Sequence, residues 1–194
     1  MPTYSSTISA SADDADQSSG TVDLTGTTLN VNGTGQYAGL RFTNVTIPNA
    51  ATINTATLDL EFTQSTHDDP DIEIYAEDTD DAATFTTTSN NISGRTPTTA
   101  TTTWTATSIG TGVKTTPSIV TVIQEIINRP GWTSGNDIAI ILHGLSASSS
   151  VRLRTLNALT GWPAAKSCGR QGKTPNFPCR PQQSSPKETL INAI

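Results

Sequence analysis

An all-β, antiparallel sandwich with one amphipathic helix and an extended C-terminal arm is the architecture this sequence predicts, and three observations predict it. Thr accounts for 36 of the 194 residues and Ser for 19; threonine fits a pleated, half-exposed surface and loses rotamer freedom in a helix. Apolar residues recur with a period of two in short runs separated by Gly, Pro and Asn turn signals. The last stretch, residues 161–194, contains Pro163, Pro175, Pro178, Pro181 and Pro186 and has no sustained period, which reads as an extended arm. The length suits one domain, 1–160, with that arm attached.

Tyr4 to Ala10 alternates weakly and is expected as an edge strand, ended by the acidic loop Ser11-Ala12-Asp13-Asp14-Ala15-Asp16. Thr21 to Val31 divides at Gly26 into two short strands,. Gln36 to Ile47 follows, with Leu40 and Phe42 on one face and Pro48-Asn49 closing it,. Thr52 to Gln64 has the clearest alternation: Ala56, Leu58, Leu60 and Phe62 face the core, and Thr57, Asp59, Glu61 and Thr63 face water,. Asp71 to Glu77 repeats it with Ile72, Ile74 and Ala76, and Thr98 to Thr107 adds a threonine-rich strand carrying Trp104. The period then changes. Thr116 as N-cap and Pro117 at the first helical position predict a helix over about 117–129,. Ile119, Val122, Ile123, Ile126 and Ile127 form its apolar stripe, and Pro130-Gly131 stops it,. Asp137 to His143 reads as a central strand covered on both faces, and Val151 to Asn157 as the last strand,. Leu58, Leu60, Phe62, Ile72, Ile74, Ile123, Ile127 and Ile140 are expected in one core.

No apolar run has the ~18 residues that a membrane helix needs, and Met1-Pro2-Thr3-Tyr4-Ser5-Ser6 shows no secretory signal pattern,. Cys168 and Cys179, the only cysteines, both fall in the arm; they form one bridge or remain two thiols. Charge divides unevenly. Residues 1–150 carry sixteen acids against four bases, a net of −12, and residues 151–194 carry seven bases against Glu188, a net of +6. An acidic body with a basic arm predicts that Lys166, Arg170, Lys173, Arg180 and Lys187 lie against an acidic protein surface, on this body or a neighbouring copy,. Seven bases spread over 44 residues make too dilute a patch to favour nucleic acid.

Gly39-Leu40-Arg41-Phe42-Thr43-Asn44-Val45-Thr46-Ile47-Pro48, followed by Ala51 to Leu58, resembles bacterial jelly-roll modules of the DNRLRE type, allied to carbohydrate-binding modules. Ala82 to Phe85, Ile92 to Arg95 and Arg129 to Asn136 extend the resemblance through residues 11–157. It implies a jelly-roll-like sandwich. Such modules occur in secreted enzymes, surface proteins and virus particles, so it leaves the role open.

Asp68, Asp69, Asp71, Glu73, Glu77, Asp78, Asp80 and Asp81 crowd fourteen residues, and Asp13, Asp14 and Asp16 form a second group. Calcium takes six to eight oxygens at ~2.4 Å. Asp13, Asp14, Asp78, Asp80 and Asp81 are therefore candidate structural calcium ligands; the same acids also suit a docking face for the arm, or plain solvation. Trp104, Trp132 and Tyr37 are candidates for stacking on sugar rings, with core packing as the commoner use of such residues. His67 and His143 offer neither metal-ligand spacing nor a triad, and Gly144 to Ser148 and Gly169 to Thr174 miss the nucleophile-elbow and phosphate-loop patterns,. No catalytic group is predicted. The expected function is that of a structural protein in a virus particle, a phage capsid decoration or tail protein binding neighbouring subunits; a secreted or cell-surface carbohydrate-binding or adhesion module is the alternative.

Overall fold

Alternation builds this molecule. The computed structural model describes residues 4–8, 10–31, 33–62, 71–105, 110–145, 152–154 and 159–160, the last two groups by backbone alone. Its strands are β1 (Asp14–Ser18), β2 (Thr21–Asp23), β3 (Leu29–Asn30), β4 (Gln36–Phe42), β5 (Thr57–Phe62), β6 (Asp71–Ala76), β7 (Thr102–Thr105), β8 (Gly112–Thr115), β9 (Ile138–Gly144), β10 (Arg152–Arg154) and β11 (Leu159–Thr160), with the helix α1 (Val120–Ile127) before β9. A six-stranded sheet runs β2-β1-β4-β9-β6-β7, and a second sheet joins β8, β10 and β11 to β5 and β3 to β10. Every pairing is antiparallel.

The core lies between the sheets. Leu40, Phe42, Ile72, Ile74, Ile140 and Leu142 come from the first sheet, Leu29, Leu58, Leu60 and Phe62 from the second, and Ile119, Val122, Ile123, Ile126 and Ile127 from the helix and its entry. The eight residues expected to be buried together all belong to this cluster. The chain is thus an all-β, sandwich-like fold with one short helix. None of the described helices is long and apolar enough to cross a membrane.

The first sheet is also covered on its outward face. The connection between β6 and β7, residues 77–101, lays Ala82, Phe85 and Ile92 against Ala15, Tyr75, Ala139 and Ile141. That makes β9 buried on both sides, as its apolar run predicts,. Phe85 sits directly on Gly39 of β4, where any Cβ would overlap the ring, and the Arg95 guanidinium lies 4.3 Å from the ring centre on Phe85. Gly39→Ala is accordingly expected to cost about 1–3 kcal/mol, the usual range for overpacking, because β4 is paired on both edges and cannot retreat. A urea midpoint unchanged from the parent would show that Phe85 can shift freely.

Several expected elements come out differently. Tyr4 to Ala10 forms no extended strand over its described residues; Tyr4 instead packs into the core. The helix is eight residues, on the order of 12 Å long,, and its N-cap is Ile119, with no side-chain cap. Thr116 is a strand surrogate instead: its N–H donates to the Leu58 carbonyl and its Oγ1 accepts from the Leu58 N–H at 3.0 Å, extending the β5–β8 ladder. Thr98 does the same for Ala76 at the end of β6. Pro117 then lies between ladder and helix. Asp14 to Asp16, expected in the acidic loop, open strand β1, and neither β8 nor β11 was anticipated. Residues 63 and 64 of the expected Thr52 to Gln64 strand, 106 and 107 of the expected Trp104 strand, and 151 and 155–157 of the expected last strand lie outside the described residues, as do His67, Asp68, Asp69 and the whole arm with Cys168, Cys179 and its bases.

Candidate functional site

The polar side chains with the most elaborate contacts gather at one end of the sandwich, where β4 and β6 finish and β9 begins. Arg41, the outward residue near the end of β4, binds Asp13 through Nη1 and Asp137 through Nη2, and its Nε donates to the Ala82 carbonyl at 2.8 Å. Asp137 also accepts from the Asn44 N–H through its other oxygen. Arg129, just beyond α1, binds Asp78 through Nη1 and Asp80 through Nε. Arg95 binds Glu77. Asp81 accepts from the Asp137 N–H, and Asn136 donates to the Asp80 carbonyl. Gly131 is required here, since a Cβ would collide with the Asp80 carboxylate,. Arg41 and Arg129 thereby tie the 77–82 turn to β4, α1 and the entry of β9, while Arg95 ties Glu77 to the later part of the same connection. The hydrogen bond that Arg129 donates to Asp80, reinforced by Asp78, holds its guanidinium above its already high ordinary pKa.

Of the expected calcium ligands, Asp13, Asp78 and Asp80 are therefore arginine acceptors, and Asp81 is a backbone acceptor. Asp14 pairs with Leu40 in the β1–β4 register. The described residues bring together no group of three or more His, Cys, Asp or Glu suited to a metal ion.

The expected stacking residues are corrected by burial. Trp132 is 1% exposed and its Nε1 donates to the Ile47 carbonyl at 2.9 Å. Trp104 is 6% exposed and meets Phe62 edge-on at 5.4 Å. Both indoles serve the core, the more frequent fate of aromatic rings. Tyr37 is half-buried, and His143 on the adjacent strand covers one of its faces, the rings 4.5 Å apart and nearly parallel.

A second fixed point is Glu125 on α1, whose carboxylate accepts from the Thr99 N–H and hydroxyl and the Ala100 N–H, each at 2.8 Å. Burial alone would raise its pKa, but the Ala100 and Thr99 hydrogen bonds and the Arg129 charge together hold it below the ordinary value. A depressed folded pKa means that these contacts stabilise fully above the unfolded carboxyl's titration and are lost as pH falls through the folded one. Glu125→Gln is expected to cost about 1–2 kcal/mol at neutral pH, with the difference from the parent shrinking below about pH 4. Thermal melts across pH check this; a difference that persists in acid contradicts it.

Sequence reading drew attention to the acids and missed their partners. The usable signal was scarcity: Arg41, Arg95 and Arg129 are the only arginines among residues 1–150. No protein-family model matches the chain, and no curated protein matches it.

Proposed function

We propose that this chain is a non-catalytic structural subunit, a decoration or tail component of a virus particle, joined to neighbouring subunits by its basic arm. One observation carries the reading: the acids of the body remain in excess after its arginines are used. Asp16, Asp23, Asp59, Asp71 and Asp81 accept from neutral donors, Asn30, Thr25, Thr115, Thr105 and the Asp137 backbone respectively. Such acids invite an outside cation, which Lys166, Arg170, Lys173, Arg180 and Lys187 supply in sequence,. The jelly-roll form of the sandwich draws support from the chain's alternation between sheets, with β4, β6 and β9 in one and β5 and β8 in the other. The carbohydrate-binding alternative is weakened by the burial of Trp104 and Trp132.

The test is sedimentation of the full chain against a variant with those five bases changed to Gln. The parent is expected to associate at low salt, and the variant about tenfold or more weakly, with the gap closing at high salt as screening shortens to a few ångströms. Equal association of the two, or a parent that stays monomeric throughout, overturns the proposal.

A further inference from the structure

The outward face of the first sheet is not covered along its whole length. Beyond the reach of Phe85 and Ile92, one register row crosses five strands: Gln17, Tyr37, His143, Glu73 and Thr103 stand opposite one another. Gln17 is buried, its amide oxygen accepting from the Ile92 and Ser93 N–H groups, and it marks the rim of the covering segment. The remainder of the row is accessible, with the Glu73 side chain 32% and the His143 side chain 24% exposed. Asp71, two residues before Glu73 on β6, shares this face, and its carboxylate accepts from the Thr105 hydroxyl at 3.4 Å. His143 Nδ1 stands 3.6 Å from Glu73.

This strip carries two carboxylates and no permanent cation. The only arginine or lysine on the strands of this sheet is Arg41, at the opposite end of β4 and engaged by Asp13 and Asp137. The second sheet is different. It also has an acid pair in alternation, Asp59 and Glu61 on β5, but the β10 register sets Arg154 opposite Glu61 and Arg152 opposite Asn30. An arginine thus stands in register with an acid on the second sheet, and no arginine or lysine does so in the strip of the first.

We infer that the strip formed by Asp71, Glu73, His143 and Tyr37 receives the basic C-terminal arm, residues 161–194, of a second copy of this chain. The inference rests on the proposed arm-mediated assembly and names its receiving surface. Charge complementarity selects the occupant, since the arm holds the excess of bases in this sequence,. Arginine suits the surface, because its guanidinium pairs with carboxylates and lies well against aromatic rings.

The origin of the arm selects a neighbour. β11 ends at Thr160, which pairs with Thr57 at the start of β5. The adjoining Ala56 carbonyl accepts from Ile119, and Glu125 of the following helix holds Thr99 and Ala100, next to Thr98 at the end of β6. The arm thus leaves from the second sheet at the end where β6 finishes, whereas the strip lies on the first sheet where β6 begins. At ~3.3 Å per extended residue an arm of this length reaches on the order of 100 Å, ample to bridge two bodies.

Zero-length carbodiimide cross-linking tests this on the full chain, in an equal mixture of normal and nitrogen-15-labelled protein at low salt. Lys166, Lys173 or Lys187 is expected to join Asp71 or Glu73 in mixed-isotope peptide pairs. The double variant Asp71→Asn, Glu73→Gln is expected to lose these links and to associate about tenfold more weakly, while Asp59→Asn, Glu61→Gln associates like the parent. Links to Asp59, Glu61, Asp78 or Asp81 instead, links only within one isotope, or full association of the Asp71, Glu73 variant overturns the inference. Association that needs the arm but not the strip rejects this surface alone; absence of any arm-dependent association rejects the proposed function with it.

Discussion

Arg41→Ala is expected to lower stability by about 3–5 kcal/mol, the range for removing one partner from a largely buried ion pair. The guanidinium serves two carboxylates and one carbonyl at once. The side chains concerned are 16%, 13% and 17% exposed for Arg41, Asp13 and Asp137, so water only partly replaces what is lost. Asp137 would keep the Asn44 N–H, while Asp13 would lose its cation and the Ala82 carbonyl its donor. For a chain of this size the fall in melting midpoint is on the order of 10 °C. Arg41→Lys should recover little, because an ammonium cannot hold three acceptors set in the fork of a guanidinium. A lysine variant as stable as the parent would reduce the cluster to simple charge pairing.

Trp132→Ala should be comparably damaging, at about 3–5 kcal/mol. It empties the site of the largest fully buried side chain among the described residues and leaves the Ile47 carbonyl without the indole N–H. Trp132→Phe separates the two contributions. It keeps most of the volume and forfeits only the hydrogen bond, an expected loss of about 1–3 kcal/mol for a buried acceptor left unsatisfied. Denaturant midpoints with unchanged slopes are the measurement. If phenylalanine costs as much as alanine, the carbonyl rather than the cavity dominates this corner.

How these residues could be read in advance varied with the range of the interactions. The alternation of Leu58, Leu60 and Phe62 against Asp59 and Glu61 is local, and so was plain in sequence; so was the isoleucine stripe of α1. Thr116 misled because Thr followed by Pro is a sound helix-start signal, yet its hydroxyl and N–H were captured by Leu58, 58 residues away in sequence. The arginine cluster was opaque for the same reason: Asp137 lies 96 positions from Arg41. Tryptophan is chemically ambivalent, and nothing adjacent to Trp132 announces that the Ile47 carbonyl will meet its N–H. β8, only four residues with Gly112 at its head and a lysine turned into the alternation, gives almost no periodic signal.

The segment between β6 and β7 gives the first sheet an interior on either side of its centre. A surface enclosed in this way is closed to recruitment: no partner can come to depend on it without first displacing Phe85, Arg95 and the contacts of Gln17. Variation there is judged by folding alone. On this sheet, the uncovered rim is therefore where substitutions are expected to alter association while leaving the body intact.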